Sequence, residues 1–228
     1  MANLILDDAT KAEYLNLHIA DHFGCNSDDP ELSIPNVEEI AEQFQGDYAW
    51  GASKFVIIPA EGEYVIKIPF TGEFFWDEDE ETGEEKLGFD YFYKNRNYCQ
   101  IEADRYAELE NTKIAPFFAE TRLLGYAKTG QGVYIQEKIK TTYRQSENIE
   151  PIDDDSREAI NNIKKSSGHY SLPFDDGWVA IAIKWYGEEA TTELIQYADE
   201  NICDLHWDNY GFRFDGSPVI HDFSDFHS

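Results

Sequence analysis

Apolar positions change period several times along this chain, and each change marks an element. Lys54 to Pro59 and Glu63 to Pro69 are β-rich runs on either side of Ala60-Glu61-Gly62, the pattern of a β-hairpin. Lys67 lies between Ile66 and Ile68, so on a strand its side chain points away from theirs. From Asn97 to Glu110 the period lengthens. Tyr98, Glu102, Tyr106 and Leu109 fall at i, i+4, i+8 and i+11, which is one face of a helix. Glu102 thus sits in an inward-facing aromatic stripe, where a carboxylate needs a partner. Lys67 would supply one. Thr121 to Tyr126 and Gly132 to Ile139 return to the strand pattern around Thr129-Gly130.

Toward the N-terminus, Thr10 to Phe23 reads as a helix with Leu15, Ile19, His22 and Phe23 on one face. Asn36 to Gln45 reads as a second helix, capped by Asn36 after Pro35. His18 and His22 form an i, i+4 pair with no third ligand evident, which disfavours a metal there. Between Lys67 and Glu102, aromatic arms at Gly72 to Trp76 and Leu87 to Tyr93 flank Asp77 to Glu85, which holds seven acids in nine residues and a Thr82-Gly83 turn. This reads as a projecting acidic β-hairpin inserted over residues 71–93. Its tip is either a solvated loop or a docking surface for a basic partner. Thr141 to Gly177 is looser, with Pro151, the acidic run Asp153 to Asp155 and a short helix near Arg157 to Lys165. Trp178 to Tyr186 and Glu188 to Glu200 read as helices. The sum is an α+β chain.

At 228 residues with 42% apolar and 15% aromatic content, the chain can bury a substantial core as one domain or two small lobes. Cys25, Cys99 and Cys203 are scattered and odd in number, which points to a reducing compartment rather than a disulfide framework or a zinc site. No apolar run approaches spanning length and no basic-plus-apolar leader begins the chain. The expectation is a cytoplasmic protein that engages no membrane. Forty-six acids against eighteen bases leave a formal charge of −28, which disfavours direct contact with nucleic acid. Such a surface can imitate nucleic acid, meet a basic protein partner, suit high salt or keep the chain soluble. For any bound anion the repulsion is damped beyond a Debye length of about 8 Å. Local cations then decide.

The candidate chemistry gathers late in the chain. Asp204-Leu205-His206-Trp207-Asp208-Asn209 sets an Asp and an Asn five residues apart. Asp222 follows thirteen residues later, across the strands Tyr210 to Phe214 and Pro218 to His221 and a two-residue turn at Asp215-Gly216. One loop can thereby present Asp204 toward an attacking hydroxyl and the Asn209 amide oxygen toward a metal, while the hairpin returns Asp222 to that metal. These residues resemble the protein-kinase-like superfamily. Asp204-Leu205-His206 with Asn209 is closer to the loop of aminoglycoside and related small-molecule phosphotransferases than to the His-Arg-Asp loop of eukaryotic protein kinases, whose His is replaced by Ile202. Asp222-Phe223-Ser224 resembles Asp-Phe-Gly with Ser224 in place of Gly.

The resemblance covers roughly Asp47 to Phe226 and implies a minimal two-lobe fold. A helical segment would occupy residues 1–46, an antiparallel-sheet N-lobe residues 47–140 with the acidic hairpin at 71–93, and a reduced helical C-lobe residues 141–228. It also implies ATP and Mg²⁺ as cofactors, Asp204 as catalytic base, Lys67 on the nucleotide phosphates, Glu102 orienting Lys67, and Asn209 and Asp222 on the metal. Trp50-Gly51-Ala52-Ser53-Lys54 would be a short phosphate-covering turn, Gly51 admitting backbone N–H groups and Ser53 and Lys54 adding donors, although it lacks GxGxxG. Gln136 to Ile139 would be the hinge, with Glu137 and Ile139 giving backbone groups to adenine. The chain stops at Ser228, six residues after Asp222, so no activation segment or following helices are expected. Two function classes fit. One is an ATP- and Mg²⁺-dependent phosphotransferase acting on a hydroxyl acceptor; the other is an inactive pseudokinase or acidic interaction protein that binds a basic partner or mimics nucleic acid.

Overall fold

The computed structural model describes residues 4–25, 40, 43, 46–78, 82–93, 96–146, 151–168 and 171–224. In chain order its elements are α1 (Asp8–Leu15), β1 (Gly24–Cys25), β2 (Asp47–Trp50), β3 (Lys54–Ile58), β4 (Tyr64–Pro69), β5 (Gly72–Glu78), β6 (Glu85–Tyr91), α2 (Tyr98–Leu109), β7 (Thr121–Tyr126), β8 (Gly132–Glu137), β9 (Thr141–Thr142), α3 (Asp154–Ser167), α4 (Asp176–Tyr186), α5 (Glu188–Asn201), β10 (Tyr210–Phe212) and β11 (Pro218–Ile220). The fold is α+β, and its strands pair mostly antiparallel. The chain divides into two compact units, Met1–Asp104 with Thr121–Glu137, and Arg105–Glu120 with Lys138–Ser228. One boundary falls inside α2 and another directly after β8.

In the first unit the expected hairpin, β3 with β4, forms the middle of a five-stranded antiparallel sheet of order β2-β3-β4-β8-β7. Alternation along the strands sorts its residues onto two faces. Phe55, Ile57, Ile66, Ile68, Val133 and Ile135 pack with Tyr14, Leu17, Ile19 and Phe23 into one buried cluster. Val56, Lys67 and Tyr134 stand in register across β3, β4 and β8 on the opposite side. There Cys99 and Ala103 of α2 pack on Tyr134. Its hydroxyl donates to Gln100 Oε1 and accepts from Asn97 Nδ2, both at 2.8 Å. The helix is thereby fixed in rotation over the Lys67 side of the sheet.

The first helix is shorter than the Thr10 to Phe23 span its apolar pattern suggests. Asp7 caps it by accepting the Ala9 and Thr10 N–H groups, and it ends at Asn16. Beyond it Leu17 and Ile19 are buried and His18 is exposed, a period of two that belongs to extended chain. His18 and His22 therefore do not share a helix face. His22 instead stacks on Phe89 at 4.7 Å between ring centroids. The helix expected over Asn36 to Gln45 lies outside the described residues apart from Ile40 and Gln43. The acidic insertion is the antiparallel hairpin β5–β6, joined at its root by β1, which runs parallel to β5.

In the second unit α3, α4 and α5 pack with β10 and β11 around Trp178, Phe117, Phe118, Leu194, Tyr210, Ile220 and Phe223. Trp178 is fully buried, stacks on Phe174 and donates its indole N–H to the Gly211 carbonyl at 3.0 Å. This ties α4 to the strand that follows the Asp204 loop. The helix expected near Arg157 to Lys165 extends in both directions, because Asp153 caps its start and Gly168, at φ 74°, ends it in the left-handed conformation. Lys184 and the Ser156 N–H hold the Asp153 carboxyl well below the usual range. Thr141-Thr142, expected within a loose stretch, instead adds β9 to β10. Among the described residues no helix is long and apolar enough to cross a membrane.

Burial raises the Tyr14, Tyr134, Tyr143 and Tyr210 phenols above their ordinary value and pushes the Cys25 thiol up to about 11. A raised folded value stabilises fully below the unfolded one and is lost as pH rises, since the unfolded chain then binds fewer protons. The melting temperature should therefore fall as pH climbs past about 8.5 for the thiol and about 10 for the phenols. Thermal melts across that range, with tyrosine ionisation followed by absorbance, check it. An unchanged melting temperature well above the phenol range would contradict it.

Candidate functional site

The candidate residues fall into two groups, one in each unit. In the first unit the β3 and β4 register puts Val56 opposite Lys67 and Lys54 opposite Pro69. Lys54 and Lys67 therefore lie on one face, away from the isoleucines that flank Lys67. Glu102 on α2 meets both. Its Oε1 accepts from Lys54 Nζ at 2.5 Å and its Oε2 from Lys67 Nζ at 2.8 Å. The carboxylate is fully buried and the lysines are 4% and 3% exposed. Two ammonium groups sharing one dry carboxylate form strong, charge-assisted hydrogen bonds. They also fix both lysine side chains.

The turn before β3 is closed by the Gly51 N–H, which donates to the Lys54 carbonyl at 3.1 Å. The Ser53 carbonyl accepts the Phe70 N–H at 3.0 Å. A Cβ on Gly51 would meet no heavy atom within 4 Å, so the packing itself does not require glycine there. Of the three expected phosphate-turn residues, Lys54 joins the buried pair, while Gly51 and Ser53 give these backbone groups to the turn and the sheet. Glu137 is buried at the end of β8 opposite Tyr64, and Ile139 is half-buried just beyond, where the chain enters the second unit.

In the second unit the loop after α5 holds Asp204, half exposed, and Asn209, buried. Asn209 Nδ2 donates to the Asp204 carbonyl at 2.6 Å, so the amide oxygen is the end turned from that bond. The Asn209 carbonyl accepts the N–H groups of His221 and Asp222 at 2.9 and 3.2 Å. One backbone oxygen thus binds the loop to the residues that follow β11. Ser224 Oγ lies 3.2 Å from Asp222 Oδ1 and donates to it, a contact that a glycine could not make. Phe223 is buried edge-on against Phe118, and its carbonyl accepts from the Arg105 guanidinium.

The turn between Asn209 and Asp222 is one residue longer than expected and begins at Phe214. Arg213 N–H donates to the Ser217 carbonyl, leaving Phe214, Asp215 and Gly216 as a three-residue loop. Gly216, at φ 88°, is the residue that takes the left-handed conformation, whereas the two-residue type I′ turn needs it twice. The Asp215 carboxylate accepts from the Ser217 N–H and hydroxyl, which lowers its pKa.

His206 Nδ1 accepts the Asp208 N–H at 3.3 Å, which leaves the ring proton of the neutral imidazole on Nε2, 4.0 Å from Asp204 Oδ1. Arg144 pairs with Asp208 at 3.1 Å. Sequence reasoning missed the anchoring roles of Arg105 and Ser224. Arg105 lies three residues after Glu102 and is the one arginine on α2, which is the signal that could have found it.

Comparison with protein-family models and with curated proteins gives no match. The chemistry therefore rests on the residues themselves. Among the described residues no three His, Cys, Asp or Glu side chains gather as metal ligands. Asn209 and Asp222 would supply two hard oxygen donors, which suits Mg²⁺, an ion that keeps several waters and binds substrate phosphates.

Proposed function

We propose that this chain binds ATP with Mg²⁺ on a two-lobe kinase-like fold and transfers a phosphoryl group to a hydroxyl acceptor. The observation that carries this reading is the buried Lys67–Glu102 ion pair at 2.8 Å. It joins the third strand of a five-stranded antiparallel sheet to the next helix, as the strand-lysine to helix-glutamate pair does in protein kinases. Lys67 would hold the phosphates, with Lys54 on the same carboxylate. Backbone groups at Glu137 and Ile139 would meet adenine. Asp204 would accept the proton of the attacking hydroxyl. Asn209 and Asp222 would hold Mg²⁺, which when bound neutralises phosphate charge. The hydrogen bonds from Asn209 to Asp204 and from Asp222 to Asn209 support a loop already shaped for those roles.

The direct test is ligand-linked stability. Mg-ATP at 100 times its dissociation constant should stabilise the nucleotide-binding form by about 2.7 kcal/mol, seen as a rise in melting temperature that ATP alone in chelator does not reproduce. No thermal shift and no calorimetric heat with saturating Mg-ATP would sink the proposal.

A further inference from the structure

The β5–β6 hairpin carries an exposed apolar pair beside a like-charged pair on the same face. 

In register, Trp76 faces Leu87, and each is 49% exposed. Toward the root on the same face, Phe74 meets Phe89 and His22 stacks on Phe89, so that end is packed. Toward the tip on the same face, Glu78 lies directly opposite Glu85. On the reverse face Glu73 lies opposite Asp90. Like charges directly opposite each other weaken a strand pair, and a half-exposed Trp–Leu pair leaves apolar surface in water. Lys86 is the one base between Gly72 and Tyr91, and it sits opposite Asp77 on the reverse face.

We propose that the Trp76–Leu87 face is a docking surface for a basic protein segment with an apolar residue and an arginine or lysine two positions apart. In an extended segment such residues share one side and are about 6.8 Å apart, the same spacing that separates the Trp76–Leu87 pair from the Glu78–Glu85 pair along the hairpin. The apolar side chain covers the first pair. The cation neutralises the second, relieving a repulsion that the free hairpin carries. Charge selects this occupant over the others. A second copy would bring the same carboxylates against each other in a chain of formal charge −28, and an anionic membrane would be repelled likewise. The docking face goes beyond the nucleotide reading and does not depend on it.

The test uses the full chain and two labelled synthetic peptides of equal charge, repeats of Leu-Ser-Arg-Ser and of Ser-Ser-Arg-Ser, followed by fluorescence anisotropy at two salt concentrations. The leucine peptide should bind about tenfold tighter, a difference of about 1.4 kcal/mol, and more weakly at higher salt. The Glu78→Gln/Glu85→Gln variant should lose about tenfold in affinity while its melting temperature holds or rises, because the like-charge pair is gone. Leu87→Ser should abolish the preference between peptides. Glu188→Gln/Glu193→Gln removes the same charge from α5 and should leave binding unchanged. Equal affinity for the two peptides, or equal loss in the two charge variants, would overturn the proposal in favour of diffuse attraction to an acidic chain. A dimer in sedimentation that Leu87→Ser dissolves would overturn it in favour of a second copy.

Discussion

Glu102→Ala is expected to destabilise the protein by about 3–5 kcal/mol, the usual cost of removing one partner from a buried ion pair. The carboxylate is fully buried and accepts from Lys54 at 2.5 Å and from Lys67 at 2.8 Å. Its removal leaves both ammonium groups, already out of water, without the anion they share. At about 2–4 °C per kcal/mol for a chain of this size, the melting temperature should drop by at least about 6 °C. Glu102→Gln keeps the shape and one accepting oxygen but loses the charge and turns an NH2 donor toward the other lysine, so it should still be destabilised, though less than the alanine variant. Thermal or urea unfolding of the three proteins checks the order. A Glu102→Ala protein that melts within about 2 °C of the wild type, less than 1 kcal/mol on that scale, would mean the pair contributes little.

Asp204 and Asp222 should separate chemistry from binding. If Asp204 takes the proton of the attacking hydroxyl, Asp204→Asn should keep the Mg-ATP thermal shift and lower kcat by about 10²–10⁴-fold, the usual contribution of a general base. If Asp222 holds Mg²⁺ with Asn209, Asp222→Asn removes its charged oxygen donor and should lose the Mg²⁺-dependent part of the thermal shift as well as turnover. Single-turnover phosphoryl transfer and nucleotide binding, measured on both variants, give the two readouts. A wild-type chain that binds Mg-ATP without transferring phosphate would instead support the pseudokinase. Transfer that survives in Asp204→Asn would remove Asp204 from the proposed role.

Much of the first unit was legible because strand alternation is local. Ile66 and Ile68 are core residues and Lys67 faces the other way, as their spacing requires. The inward placement of Glu102 followed from a 3.6-residue period in the same manner. The acidic hairpin was also visible, since its aromatic arms and Thr82-Gly83 turn announce it, and its strands run to Glu78 and from Glu85. Where local signals compete, they misled. Leu15, Ile19, His22 and Phe23 fit a helical face, but Asn16 ends α1 and the alternation of Leu17 and Ile19 carries the chain onward extended. Asp215-Gly216 has the composition of a two-residue turn, yet the Arg213–Ser217 hydrogen bond makes the loop three residues long.

An α+β chain, the face of β4 on which Lys67 stands, the face of α2 on which Glu102 stands, and the spacing of Asp204, Asn209 and Asp222 were legible in the linear chain. These follow from periodicity and turn chemistry within a few residues. Packing then revealed that Glu102 serves Lys54 as well as Lys67, that the Asn209 carbonyl ties the Asp204 loop to His221 and Asp222, and that Arg105 and Ser224 hold the Asp222-Phe223-Ser224 segment. Most of those contacts join residues far apart in the chain, as in the 48-residue separation of Lys54 from Glu102. No local pattern encodes them, because the partner of a buried charge is chosen by which side chains the packed core brings within hydrogen-bond reach.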